Sequence, residues 1–167
     1  MERIDEIRAA AKEYGQRSIE NKQLCEKLGH EIIFAFDRYV SSAGGLVAGV
    51  PPKGDWRPNV EYRDEVFSFY QSLILTLGEV ELGICIPVFD NQWVRQVIRL
   101  RKEGDQIIVL ITENESQKIR LPADYTAAHL NEVCERIFQN VLMLFRGEVN
   151  VFVDGGGGHL KTIGFRA

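Results

Sequence analysis

No apolar run in this chain approaches the roughly 18 residues that a membrane-spanning helix needs, so no such helix is expected. The first residues, Met-Glu-Arg-Ile-Asp-Glu, are charged and lead into no apolar h-region, and the anticipated setting is soluble and cytoplasmic, away from membranes. Cysteine is scarce. Cys25, Cys85 and Cys134 lie far apart, each among apolar neighbours, which fits small buried hydrophobes in a reducing compartment better than a disulfide or metal framework. An excess of positive charge is also missing: with 20 Lys and Arg against 24 Asp and Glu, the whole molecule should not be drawn to nucleic acid.

The signatures of common active sites are missing as well. There is no Gly-x-Ser-x-Gly elbow, and no cysteine has a histidine or a basic activator beside it in sequence. His30-Glu31 begins like a metalloprotease helix, yet no second histidine follows at the required spacing. Residues 44–54, Gly-Gly-Leu-Val-Ala-Gly-Val-Pro-Pro-Lys-Gly, have the glycine content of a phosphate loop, but Lys53 is not followed by Ser or Thr. Neither a cofactor nor a metal is expected.

What the chain does have is a long helical stripe. Ile4, Ile7, Ala11, Tyr14, Ser18, Asn21, Cys25, Leu28, Ile32, Ala35 and Tyr39 recur at alternating spacings of three and four, a heptad pattern. As one helix this stretch would be about 55 Å long at about 1.5 Å per residue, longer than a compact body of this size is wide. Gly15 and Gly29 interrupt it, so a break near Gly29 stands beside one unbroken rod as an alternative. The stripe is narrow up to Asn21 and broad from Leu24 onward. A narrow stripe suits a helix–helix seam and a broad one suits a core, so Ile4, Ile7, Ala11, Tyr14, Ser18 and Asn21 are the expected self-association positions, most simply of a dimer.

The remainder reads as an α+β body. Residues 1–43 form the helical arm and 44–167 the body, which opens on a long loop over 44–60 with three prolines and four glycines in its wider span 41–60. Period is ambiguous over 64–77, where aromatic and β-branched content favours a strand; 80–88 is a strand by alternation. Trp93 to Leu121 reads as a three-stranded meander. A turn centred on Glu103 and Gly104 would set Ile98 opposite Val109 and Leu100 opposite Ile107. An odd-numbered second loop then keeps Ile119 and Leu121 on the same apolar face. A helix follows from Asp124 or Thr126 to about Arg146, stopped by Gly147, and the tail reads as strand 148–154, four glycines and a return strand. The expectation is an antiparallel sheet of about five strands with helices on one face.

Three functional readings follow. In the first the chain is a non-enzymatic, homo-oligomeric binding protein that receives a protein partner on Lys53, Trp56 and Arg57 of the loop or on the sheet. In the second it is a small-ligand or nucleotide-binding enzyme with its pocket between loop 41–60 and the glycine hairpin, where Asp154 and His159 could orient a base. In the third, the meander register collects Arg95, Arg99, Arg101, Lys118 and Arg120 on one sheet face, which could take a nucleic-acid backbone. The acidic overall balance ranks that reading last.

Overall fold

The computed structural model describes residues 2–72, 76–155, 163 and 164. One unbroken helix, α1, runs from Arg3 to Val40 over 38 residues, so Gly29 does not break it. The reason is contact. A β-carbon at Gly29 would lie 2.4 Å from the Phe67 ring, so the glycine that weakens the helix locally also lets a buried aromatic side chain press against it.

The chain leaves α1 through a turn organised by Asp37, whose carboxylate accepts the backbone N–H groups of Gly45, Leu46 and Val47 at 2.7, 2.8 and 2.8 Å. Gly44 and Gly45 take positive φ there, as the reversal requires. The long loop is partly ordered as a strand, β1 (Ala48–Val50), at the sheet edge. Then come β2 (Val80–Phe89), β3 (Gln92–Glu103), β4 (Gln106–Leu110) and β5 (Ile119–Pro122), giving five antiparallel strands in sequence order. The last helix, α2, spans Ala127–Asp154, with the backbone N–H of its N-cap Thr126 donating to His129 Nδ1 at 2.9 Å.

Three expectations need correction. Residues 64–77 contribute no strand among the described residues; they hold a 3-10 turn at Asp64–Val66 and one isolated bridge from Phe67 to Leu82. Consecutive burial of Val66 and Phe67, rather than alternation, is what a turn wedged under a helix requires. The segment 148–154 is helix, not strand, and α2 ends at Gly155 with φ 66°, not at Gly147. The β3–β4 turn lies at Gly104-Asp105, with Gly104 at φ 61°, so Leu100 pairs with Val109 and Lys102 with Ile107. That is a shift of two residues, which changes partners and leaves every side chain on its expected face.

One face of the sheet carries Leu82, Ile84, Ile98, Leu100, Ile107, Val109 and Leu121, and both helices cover it through Leu28, Ile32, Phe36, Val133 and Ile137. Gln96 also points inward, and Asn140 of α2 satisfies it, its Nδ2 donating to Gln96 Oε1 at 2.9 Å. On the other face a small cluster of Val50, Trp56 and Cys85 pins the 50–60 loop against the sheet. No helix among the described residues is long and apolar enough to cross a membrane.

Candidate functional site

Two regions of α1 differ sharply in what they touch. From Cys25 onward the stripe is core, with Cys25, Leu28, Ile32 and Phe36 at 0–1% exposure. From Arg3 to Arg17 every residue but Gly15 is exposed. Ile4, Ile7 and Tyr14 keep 44%, 64% and 48% of their surface open, yet their spacing places them with Ala11 on the helix face that is core further along. These residues form an arm of about 22 Å at about 1.5 Å per residue, projecting past the body.

The expected seam divides at residue 18. Asn21 is buried by its own chain, its Nδ2 donating to the carbonyl oxygens of Thr76 at 3.1 Å and Gly78 at 3.3 Å. Ser18 is buried too, with its hydroxyl donating to the carbonyl of Tyr14 at 2.9 Å. Both polar seam positions therefore belong to the body, and the free edge consists of Ile4, Ile7, Ala11 and Tyr14.

At the opposite end of α1 lies an apolar groove of about 570 Å³. Phe36 and Val40 of α1, Phe138, Val141, Leu142 and Phe145 of α2, and the β2 end from Ile86 to Phe89 line it. A second hollow of about 540 Å³ adjoins it, sharing Leu46, Pro87, Val88 and Phe89, with Pro58, Asn59 and Asp90 among its other walls. Phe89 is 64% exposed and Phe152, further along α2, 77%. The sequence signal for this groove was the widening of the α2 stripe by Phe138 and Leu142, together with Val88-Phe89 at the strand end.

The basic sheet face forms as the register required, but it is not a free positive surface. Arg99 pairs with Glu79 at 3.2 Å and Glu113 at 3.6 Å, and Arg101 with Glu115 at 2.9 Å, Glu103 at 3.3 Å and Glu79 at 3.5 Å. The hydrogen bond from Arg101, together with its charge, holds the Glu115 carboxyl below the usual carboxylate range. Arg120 donates to Gln106 at 3.2 Å, and Lys118 is half-buried just before β5. Arg95 donates to the carbonyls of Pro51 and Gly54, both at 2.9 Å, and covers the Trp56 ring at 5.9 Å. Trp56 keeps only 7% exposure, so it anchors its own loop and is not the exposed residue expected. Lys53 pairs with Glu81 at 3.0 Å, and Arg57 remains exposed. The helices lie on the other face, so it is carboxylates of neighbouring strands and loops that meet these cations.

Of the expected Asp154 and His159 pair, only Asp154 falls within the described residues. Asp154 is the last residue of α2 and exposed, while Gly156, Gly157, Gly158 and His159 lie outside the described residues. Burial pushes the Cys25 and Cys134 thiols up to about 11 and raises Cys85, so none is a ready thiolate. Among the described residues one trio of ligating side chains converges: Glu26, His30 and Asp64 have donor atoms within 4.8 Å of one another.

No protein-family model, curated protein or solved structure matches the chain.

Proposed function

We propose that this chain is a non-enzymatic, self-associating binding protein, in which the Arg3–Arg17 arm joins a second copy and the apolar groove beside Phe36 and Phe145 receives an apolar segment of a partner. The observation that carries the reading is the continuity of the α1 stripe. The helix face that builds the core at Cys25, Leu28 and Ile32 runs on through Ile4, Ile7, Ala11 and Tyr14 beyond the body, where nothing described lies opposite it. A helix of about 15 residues is marginal alone in water, so a second surface laid along this edge stabilises the arm as well as burying its side chains. One arm pair is shorter than the elements that build a standard stable interface of roughly 1,200–2,000 Å², so the dimer is expected to depend on concentration.

The test is light scattering coupled to size exclusion across about 10–100 μM protein, the range in which a free energy of about 6–7 kcal/mol gives a mixed population. A concentration-dependent dimer is expected, becoming monomeric in Ile7→Glu and on deletion of residues 1–17, with the body still folded by circular dichroism. A monomer throughout, unchanged by Ile7→Glu, overturns the reading. Deletion stops at 17 because Ser18 and Asn21 belong to the body.

A small-ligand reading keeps one observation in its favour, since the long loop lines a hollow through Gly45, Leu46, Ala48, Pro58 and Asn59. Its ligand would be of mixed polarity, with Asn59 and Asp90 among the polar walls.

A further inference from the structure

The geometry points to a divalent transition-metal site formed by Glu26, His30 and Asp64. Glu26 and His30 stand one turn apart on one face of α1, and Asp64 opens the 3-10 turn that packs against that face. Their donor atoms lie within 4.8 Å of one another, yet none of the three side chains makes a hydrogen bond or ion pair among the described residues. The three do not bond one another directly, and an ion with donors about 2.0–2.2 Å away would draw them together from this separation by side-chain rotation.

The arrangement is built rather than incidental to a mobile surface. Phe67, buried at 1%, presses into the space left by the missing side chain of Gly29 and meets the His30 ring edge-on, with centroids 5.2 Å apart and planes at 84°. The same ring brings Asp64, three residues earlier, to the helix. The position of the imidazole and the approach of the third ligand thus follow from one packing contact, and the site ties the 60s segment to α1.

One imidazole nitrogen with two carboxylate oxygens is a mixed set that favours zinc and its first-row neighbours over magnesium or calcium. His30 and Asp64 are exposed, which leaves the remaining coordination positions to water. This inference is independent of the assembly reading.

The experiment is isothermal titration of the full chain with zinc chloride, paired with thermal melting. One ion per chain is expected, with Kd of about 10 μM or tighter, and a rise in melting temperature that saturates with it. His30→Gln, Glu26→Gln and Asp64→Asn should each weaken binding about 10-fold or more, while His129→Ala should not. Magnesium chloride at the same concentration should give no saturable heat. Absence of saturable zinc binding overturns the assignment, as does binding that survives the triple substitution or is lost in His129→Ala. Far-UV circular dichroism of the variants separates lost ligands from lost fold.

Discussion

Gly29 and Phe67 occupy a single side-chain volume: the ring atom Cε1 stands 2.4 Å from where a β-carbon on Gly29 would be. Helix propensity favours alanine over glycine by about 1 kcal/mol, and packing opposes it here. Gly29→Ala should therefore destabilise the protein by about 1–3 kcal/mol, because a ring with 1% exposure has nowhere to retreat. Gly15 is the internal control. Nothing lies within 4 Å of its would-be β-carbon, so Gly15→Ala should stabilise the helix by about 1 kcal/mol. Urea denaturation of the two variants checks the pair, and equal shifts would show that the ring does not bear on the helix.

The Asp37 carboxylate gives the fold a defined acid sensitivity. Burial raises its affinity for a proton, but the N–H groups of Val47, Gly45 and Leu46 outweigh that, with help from Arg38, and hold its pKa below the ordinary value. A depressed folded-state pKa contributes stability above the unfolded pKa of 3.8 and loses it as pH falls through the folded value. Asp37→Asn should thus be less stable than the parent at pH 7, and the difference between the two should shrink below about pH 4. Denaturant midpoints of both proteins at the two pH values read this directly; a gap that widens in acid would contradict the assignment.

The sheet face that collects arginines should not hold nucleic acid. Glu79, Glu103, Glu113 and Glu115 sit within 2.9–3.6 Å of Arg99 and Arg101, so few counterions remain to be released on contact with phosphate. Fluorescence anisotropy with a duplex oligonucleotide should show no saturable binding at about 0.15 M salt. Replacing Glu79, Glu113 and Glu115 by glutamine should make steeply salt-dependent binding appear. Tight, salt-dependent binding by the parent protein would restore the nucleic-acid reading.

Where one periodicity dominated, the sequence was legible. The α1 stripe, the β2–β5 meander and the inward faces of its strands all follow from spacing, and even the displaced β3–β4 turn kept Ile98, Leu100, Ile107 and Val109 inside because the displacement was even. Legibility failed where a long-range contact overrode local preference. Phe67 reads as strand because nothing nearby in sequence announces that Gly29 will receive it. Val149, Val151, Phe152 and Val153 read as strand by composition, yet helix propagation carries α2 through them to Gly155. Of the candidate surfaces, the arm edge could be read from the heptads, whereas the groove and the Glu26, His30 and Asp64 trio depend on elements far apart in the chain.

The projecting start of α1 also makes the protein its own reporter. Its amides are held only by local hydrogen bonds, so in a lone subunit they exchange with solvent deuterium at the pace of end fraying, while those near Leu28 and Ile32 wait for the whole fold to open. Any molecule that settles along the Ile4–Tyr14 edge must slow the first set, on a timescale at which the second has not yet begun to exchange. Peptide-level deuterium uptake over residues 3–17 can therefore register capture without a label, and before the captor has been identified.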